Sequence, residues 1–360
     1  MDIRILMIDD DNAIDEQVKS LLDGENIGGY NIRVDYNNDF DTTIPSLKSN
    51  DYDILVLDLF RGTPSMSNND RKGEEVIEAI KKQCFIPVIF FSGLVKPIEY
   101  LKSDVIRVVR KGDSVDQLTA EIASVLSTRL PVIKRKINIY LNESMRSYFW
   151  DFVQPNWKQF EESKDDVSLG YLLIRKFANS LSKEQIIKFL DDPKIKLEKS
   201  YPMEFYIIPP PNEEFETGDI LKKDDSLSVL LTPSCDFVKR KGKRDAEMAM
   251  LVKAKLLKET EEYKSFKADE TAEKKNALIR LIEDRKSDRY FFLPGIPFME
   301  NHILDFQNIA IISFGELAQY KKFAKLDDPF AQSMLSKFIR YYNRIGHEDI
   351  DSDYIMDHLE

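Results

Sequence analysis

The sequence predicts an α/β protein built on two different sheets, and three observations lead to that class. In residues 1–130, short apolar runs alternate with stretches whose apolar residues are spaced three or four apart, the βαβ alternation of a parallel sheet. The run Ile54 to Leu57 is apolar throughout, as a strand covered by helices on both faces requires. From about Tyr201 onward, β-branched and aromatic runs are bounded by Pro, Gly and Asp, which favours an antiparallel or barrel-like sheet.

The predicted architecture is a doubly wound parallel sheet, a helical segment, and an α+β domain with a mainly antiparallel or barrel-like sheet. A length of 360 residues predicts two or three domains. We place the parallel-sheet domain at 1–130, a helical linker at 131–198, the α+β domain at 199–348 and an acidic, disordered tail at 349–360. Pro131 and the basic Lys134 to Lys136 mark the first boundary.

Four strands and three helices can be located within the first domain from its apolar pattern. The predicted strands are Ile3 to Ile8, Ile54 to Leu57, Val88 to Phe91 and Val105 to Val109. The predicted helices are Ala13 to Leu22, Gly73 to Lys82 and Ser114 to Thr128.

Polar side chains follow each of these four strands. Asp9 and Asp10 follow the first strand, Asp58 the second, Ser92 the third, and Lys111 comes soon after the fourth. The carboxyl ends of parallel strands share one edge of a sheet, so these residues should converge there. Each alone could be a simple cap or turn former. Together they suit Mg²⁺, which prefers carboxylate oxygens, and an aspartate that attacks a phosphoryl donor.

With these residues in this order, the segment from residue 1 to about 130 resembles a bacterial response-regulator receiver domain. The resemblance implies a flavodoxin-like fold with a five-stranded parallel sheet. The resemblance implies a phosphorelay protein that uses Mg²⁺ and receives its phosphoryl group from a sensor histidine kinase or a small phosphodonor. It also implies a role for each residue: Asp9 and Asp10 as the metal-binding acid pair, Asp58 as phosphoacceptor and metal ligand, the backbone carbonyl of Phe60 as a further metal ligand, Ser92 as the switch hydroxyl, and Lys111 as the phosphate-contacting lysine.

Three features depart from the family pattern. The segment Arg61 to Asp70 delays the glycine that usually follows the phosphoacceptor, so the active-site loop is predicted to be longer. Val108 stands where many receivers carry a Tyr or Phe that reports phosphorylation. Gly112 replaces the proline that often follows the lysine, so no cis peptide is predicted at that turn. The phosphoryl chemistry is expected to be retained, whereas signal transmission is expected to differ.

Composition argues against several classes of protein. A net charge of −11 does not favour a protein that binds the nucleic-acid backbone. Cys84 and Cys235 are the only cysteines, so a disulfide framework is not expected. No apolar run reaches about 18 residues and no signal peptide opens the chain, which predicts a cytoplasmic protein without membrane contact. The three histidines have no zinc-site spacing.

A long amphipathic helix is predicted after Pro131. Its apolar residues recur at helical spacing up to Pro155 and are Leu141, Met145, Phe149, Phe152 and Val153. Two alternatives stay open: the stripe packs on the C-terminal domain of its own chain, or it continues the receiver as a signalling helix that forms a homodimer. Two further amphipathic helices are predicted at Leu169 to Leu181 and Glu184 to Leu190.

Five strands and two helical regions are predicted in the C-terminal domain. The strands are Glu204 to Ile208, Ser228 to Leu231, Met248 to Lys255, Tyr290 to Leu293 and Ile309 to Ile312. The helical regions are a solvated insertion at Leu256 to Asp288 and a helix at Phe330 to Ile345 that Gly346 could cap.

The segment Thr232 to Phe237 is the strongest candidate for a reactive site in this domain, because it places a thiol, Cys235, and a carboxylate, Asp236, after an apolar strand. A catalytic cysteine needs a base, and only His302 or His347 could serve. A buried structural cysteine is the commoner situation. The basic run Lys239 to Arg244 is either a solvated turn or a phosphate-contacting loop.

Three functions compete at this point. The first is a response regulator in which phosphorylation of Asp58 controls a C-terminal module that binds another protein and not DNA. The second is a transcription regulator that binds DNA through a basic patch, although no helix-turn-helix is present in the sequence. The third is an enzymatic output that uses Cys235 and Asp236. We favour the first, with the target of the C-terminal module undefined.

Overall fold

The computed structural model divides the chain into two compact units, Met1–Lys194 and Ile195–Glu360. It describes residues 2–9, 18–39, 43, 47, 52–58, 72–83, 85–93, 95–112, 115–163, 166–191, 195–239, 247–344 and 349–359. Each unit has its own sheet and its own apolar core, one sheet mainly parallel and the other antiparallel. The predicted α/β class is therefore confirmed.

The first unit contains a six-stranded sheet in the order β2-β3-β1-β4-β5-β6. The strands are β1 Asp2–Ile8, β2 Asn26–Ile27, β3 Tyr30–Asn37, β4 Ile54–Leu57, β5 Val88–Ser92 and β6 Ile106–Arg110. Five of them are parallel, and the two-residue β2 pairs antiparallel with β3 at the edge. Five parallel strands agree with the number that the resemblance implied. Four of them were located in the sequence, but β3 was not, because only Ile32 and Val34 within it are buried.

Both faces of this sheet are covered, which explains its uninterrupted apolar strands. Alternate residues of β4 belong to opposite cores: Ile54 and Val56 pack on one side, Leu55 and Leu57 on the other. The described helices of the unit are residues 18–22, Lys72–Gln83, Val115–Ser127, Leu130–Tyr148, Trp157–Ser163, Asp166–Ala178 and Lys183–Leu190. A 3₁₀ helix, Lys96–Leu101, lies between β5 and β6.

Arg129 separates the last helix of the parallel-sheet region from the long helix Leu130–Tyr148. Its φ of 61° is left-handed, which ends the first helix, and Pro131 opens the next. Val132 is buried in the first core. Arg135 also pairs with Asp53, a buried carboxylate that accepts the backbone N–H of Arg4 at 2.8 Å. The start of the long helix is therefore fixed to the amino-terminal edge of the sheet.

The predicted helix to Pro155 is helical as expected, but it changes from an α-helix to a π-helix before its end. After Tyr148 the chain forms a π-helical turn, Phe149–Val153, in which Gln154 N–H bonds the carbonyl of Phe149 at 2.9 Å. Of the predicted apolar stripe, Val153 is buried, whereas Met145, Phe149 and Phe152 are exposed. The helix Lys183–Leu190 packs beside the long helix through the ring contact between Tyr140 and Phe189.

The second unit is a seven-stranded antiparallel sheet in the order β11-β12-β10-β9-β8-β13-β7. The strands are β7 Tyr206–Ile207, β8 Asp219–Lys223, β9 Ser226–Leu230, β10 Met248–Leu256, β11 Tyr290–Leu293, β12 His302–Ser313 and β13 Lys321–Leu326. The Tyr206 hydroxyl of the last strand in this order donates to the carbonyl of Pro294, directly after β11, at 2.7 Å. The sheet is therefore curled into a half-barrel, in line with the antiparallel or barrel-like sheet that the sequence predicted.

Sequence patterns missed two strands of this sheet. β8 and β13 are rich in lysine, and each has only two buried apolar residues. These are Ile220 and Leu221 in β8, and Ala324 and Leu326 in β13. The predicted insertion is a pair of helices, Glu261–Ala268 and Ala272–Ile282, and the predicted later helix spans Phe330–Tyr342. Gly346, its proposed cap, lies outside the described residues.

The acidic tail was predicted to be disordered, whereas the structure forms a short exposed helix there, Ser352–Met356. The side chain of Asp351 caps this helix by accepting the N–H of Tyr354 at 3.0 Å. A capping aspartate can hold a local turn without any contribution to an apolar core, and hydropathy alone does not register it.

Candidate phosphoacceptor site

Three of the predicted site residues lie at or just beyond the ends of adjacent parallel strands, and Lys111 follows the next strand. Asp9 follows β1 and Asp58 follows β4, which pair with Ile8 opposite Leu57. The backbone N–H of Asp58 donates to the carbonyl of Ile8 at 2.9 Å, which fixes the two aspartates side by side. Ser92 ends β5, and its carbonyl accepts the N–H of Lys111 at 2.8 Å. The expected convergence at one sheet edge therefore holds for these four residues.

The ammonium of Lys111 joins two carboxylates of this edge. Its Nζ lies 2.5 Å from Oδ2 of Asp9 and 2.6 Å from Oδ2 of Asp58. Asp9 is 0% exposed and Asp58 is 8% exposed, so both charges are held largely away from water. Two buried carboxylates repel each other, and a cation between them offsets that repulsion.

The pKa of Lys111 reflects the same geometry. Burial alone lowers the pKa of this ammonium, but its hydrogen bonds to Asp58 and Asp9 outweigh burial and raise it above the ordinary value. The ammonium of Lys111 is therefore charged at neutral pH. The stability that its ion pairs contribute is present below the ordinary lysine pKa and is lost as pH rises through the raised one.

Ser92 is fully buried, and its hydroxyl has no hydrogen-bond partner among the described residues. A buried hydroxyl without a partner is costly and uncommon. Because Ser92 ends the strand between those that lead to Asp58 and Lys111, its hydroxyl lies at the edge where the charged groups meet. The Ser92 hydroxyl is therefore available to donate a hydrogen bond to a group that enters the site.

The structure adds Tyr36 to the site, a residue that sequence reasoning missed. Its hydroxyl donates to the backbone carbonyl of Asp9 at 2.6 Å, and Asp9 N–H reaches the carbonyl of Asn37 at 3.3 Å. Both contacts come from β3, the strand that the apolar pattern did not locate. An aromatic residue at the end of an alternating strand was the available signal.

Two predicted metal ligands, Asp10 and Phe60, lie outside the described residues. Among the residues that are described, no group of three or more acidic, histidine or cysteine side chains could hold a metal ion. The described donors, the carboxylates of Asp9 and Asp58, are nonetheless hard oxygen ligands of the kind that Mg²⁺ prefers. The donor chemistry of these two carboxylates therefore fits Mg²⁺.

The departures noted in the sequence have different outcomes. Val108 is partly buried against the second core of the sheet. Gly112 adopts a φ of 103°, which proline cannot reach, so the replacement of proline follows from the turn itself. The described cis peptides are Ile208–Pro209 and Asp328–Pro329, and Lys111–Gly112 is not among them, as predicted. The loop Arg61 to Asp70 lies outside the described residues.

Cys235 is exposed, so the prediction of a buried structural cysteine is wrong. The chain forms a 3₁₀ turn at Ser234–Phe237 that directs Phe237 into the core instead. The thiol donates to Oδ1 of Asp236 at 3.5 Å, and among the described residues no histidine is hydrogen-bonded to it. The other candidate base, His347, and most of the basic run Lys239 to Arg244 lie outside those residues.

His302 is buried at the start of β12 and predicts a pH dependence of stability. Burial lowers the pKa of this imidazole, although its contact with the carbonyl of Glu300, at 2.7 Å, opposes that shift. The unfolded chain therefore binds the proton first as pH falls. We expect the free energy of unfolding of the second unit to fall from pH 7 to pH 5, and His302→Gln to flatten this decline. Calorimetric scans across that range test it; equal slopes for both proteins would contradict it.

No helix within the described ranges has the length and apolar character needed to cross a membrane. No protein-family model matches the sequence, and no curated protein matches it.

Crystal structures of two bacterial proteins match the chain over about a third of its length. One is a response regulator receiver domain protein from Clostridium thermocellum, with 22% identity, 36% of this chain and 98% of that chain covered, and a TM-score of 0.26. The other is a two component transcriptional regulator AraC from Clostridium phytofermentans, with 22% identity, coverages of 35% and 97%, and a TM-score of 0.26. A TM-score of 0.26 does not support an inference about fold or function. The fold and the function are therefore inferred from the geometry of the strand ends.

Proposed function

We propose that the first unit is a phosphoacceptor of the response-regulator kind, with Asp58 as the residue that receives the phosphoryl group. The observation that carries this proposal is the ammonium of Lys111 between the carboxylates of Asp9 and Asp58, within 2.6 Å of both. The five parallel strands in the order β3-β1-β4-β5-β6 support it, because that order is the flavodoxin-like one. The donor would be a phosphohistidine of a sensor kinase or a small acyl phosphate.

Each residue has a defined part in the transfer. A carboxylate oxygen of Asp58 attacks phosphorus, the bond from phosphorus to the donor breaks, and the leaving group departs with the electron pair. Lys111 then exchanges part of its pairing with Asp58 for a phosphoryl oxygen, and the Ser92 hydroxyl donates to another. Mg²⁺, held by Asp9, Asp10, Asp58 and the carbonyl of Phe60, would supply positive charge against the phosphoryl oxygens. The product is an aspartyl phosphate.

Phosphorylation of the intact chain by acetyl phosphate tests the proposal. We expect wild type with Mg²⁺ to gain the mass of one phosphoryl group and Asp58→Asn to gain none, because an amide is not a nucleophile for this step. Asp35→Asn is the matched control, since Asp35 is a largely exposed carboxylate on β3 of the same unit. Equal labelling of wild type and Asp58→Asn would contradict the proposal.

Ser92→Ala separates a phosphoryl-binding role from a structural one. The substitution removes a buried hydroxyl that has no partner, so the free energy of unfolding should stay constant or rise by up to about 1 kcal/mol. The yield of phosphorylated protein should fall, because one hydrogen bond to the phosphoryl group is lost. Ser92→Thr keeps the hydroxyl and should label better than Ser92→Ala. A large loss of stability with unchanged labelling would show that Ser92 only supports the fold.

For the second unit we propose a protein-binding output that phosphorylation of Asp58 controls. DNA binding is not favoured, since neither the sequence nor the described helices present a basic recognition helix. Catalysis by Cys235 is not favoured either, because its described contact is the carboxylate of Asp236, whose negative charge disfavours a thiolate, and not a histidine. A cellular phenotype that survives Asp58→Asn but is lost with Cys235→Ala would reverse this ranking.

A further inference from the structure

The long strand β12 has neighbours on both sides along only part of its length. β10 pairs with it from His302 to Ser313, whereas β11 pairs with it only from His302 to Asp305. One more contact follows on the β11 side, where Phe306 N–H donates to the carbonyl of Arg289 at 3.0 Å. Beyond that point, the strands that the structure describes leave one edge of 309–313 unpaired.

The register shows which backbone groups face this open edge. Ile311 lies opposite Met250 of β10. Met250 directs both its amide groups the other way: its N–H donates to Oγ1 of Thr232 at 2.7 Å, and its carbonyl accepts Leu231 N–H at 2.8 Å. In an antiparallel ladder the residue opposite such a position also turns its amide groups outward.

The N–H and C=O of Ile311 therefore face the open edge, and so do those of Ile309, two residues before. Ser313 is the next residue whose amide groups should face away from β10. Its N–H does so, because it donates to Oε2 of Glu316 at 2.9 Å and not to β10.

The side chains along this edge lack the usual protection. Residues 307–313 read Gln-Asn-Ile-Ala-Ile-Ile-Ser, with no charge and no proline. Edge strands in monomeric proteins are commonly shielded by lysine, proline or short length. Ile311 is 61% exposed instead, and Met248 at the start of β10 is 48% exposed. The segment therefore offers both backbone groups and apolar surface to another strand.

We propose that β12 of a second copy of this chain pairs antiparallel with residues 309–311 about a two-fold axis at Ala310, which joins two seven-stranded sheets into one. The segment complements itself in this register: Ile309 and the partner's Ile311 exchange both backbone hydrogen bonds, and symmetry repeats the exchange between Ile311 and the partner's Ile309. Absence of charge within the segment is compatible with a second copy, because the same segment of two chains of net charge −11 then meets without local charge repulsion. The contact is short, so it forms a weak, exchanging dimer.

Sedimentation of the full chain over a range of concentrations tests the dimer. We expect wild type to associate with a dissociation constant on the order of 10–100 µM, more tightly as salt screens the repulsion between copies. Ile311→Lys places a charge beside the axis, opposite the partner's Ile309, and should weaken association at least about tenfold. Ile339→Lys is the matched control, since Ile339 is 59% exposed on the helix Phe330–Tyr342, and it should associate like wild type.

Amide hydrogen exchange on wild type gives a readout that needs no variant to fold. Dimerisation through this edge should slow exchange at Ile309 and Ile311 as the protein concentration rises. Three results would overturn the proposal: a monomer throughout the range, a dimer that folded Ile311→Lys leaves unchanged, or concentration-dependent protection confined to other segments. Protection of Ile309 and Ile311 only when an unrelated peptide is added would assign the edge to a different partner.

Discussion

Lys111→Gln is expected to lower the free energy of unfolding of the first unit by about 3–5 kcal/mol in metal-free buffer at pH 7. The substitution removes the cation that lies within 2.6 Å of both Asp9 and Asp58 and leaves two buried carboxylates facing each other. Urea unfolding measures this effect. Labelling by acetyl phosphate should be nearly abolished.

Lys81→Gln is the matched control for this variant. Lys81 pairs with Glu78 at 2.9 Å in the same unit, but both side chains are more than half exposed, so its loss should leave stability nearly unchanged at every pH. If Lys111→Gln unfolded no more easily than Lys81→Gln, the ion pairs at the sheet edge would contribute nothing and the account of this site would be wrong.

Asp9→Asn is expected to preserve the stability of the metal-free protein, unlike Lys111→Gln, and to weaken metal binding strongly. The amide keeps the shape of the side chain and removes one of two carboxylates that share a single ammonium, so metal-free stability should not fall. Affinity for Mg²⁺ should drop at least about tenfold, or roughly 1.4 kcal/mol, because a charged oxygen ligand is lost. Calorimetric titration with Mg²⁺ and urea unfolding measure the two quantities.

The two substitutions should also be coupled. Because Asp9→Asn removes the repulsion that Lys111→Gln exposes, it should raise the stability of Lys111→Gln by more than it raises that of wild type. Simple additivity of the two effects would mean that Asp9 and Lys111 do not interact in solution. An unchanged affinity of Asp9→Asn for Mg²⁺ would remove Asp9 from the metal site.

The sequence predicted those parts of the protein that depend on position along a strand. Asp9, Asp58, Ser92 and Lys111 follow runs so apolar that strand assignment was unambiguous, and parallel pairing then required their convergence. Tyr36 was missed because its strand alternates and resembles an exposed segment. The lysine-rich strands β8 and β13 were missed for a related reason: curled antiparallel sheets need few inward residues on each strand.

Other features depend on pairings between distant residues, which a single sequence does not reveal. The pair between Asp53 and Arg135 joins residues that no local pattern relates, and it fixes the start of the long helix. Cys235 is exposed because another residue of the same 3₁₀ turn, Phe237, packs into the core. Phe237 is the larger apolar side chain of the two. The open edge at Ile311 is apparent only from the register of β12 against β10 and β11.

Locating the phosphoryl group tests the central claim most directly. Wild-type protein labelled with acetyl phosphate and Mg²⁺ can be reduced with borohydride, which converts an aspartyl phosphate to homoserine, and the altered residue can be found by peptide mass spectrometry. The account predicts homoserine at position 58 and at no other aspartate, with the signal lost when Mg²⁺ is chelated. Homoserine at another aspartate, or none under conditions in which a known receiver is labelled, would contradict the assignment of Asp58 as the phosphoacceptor.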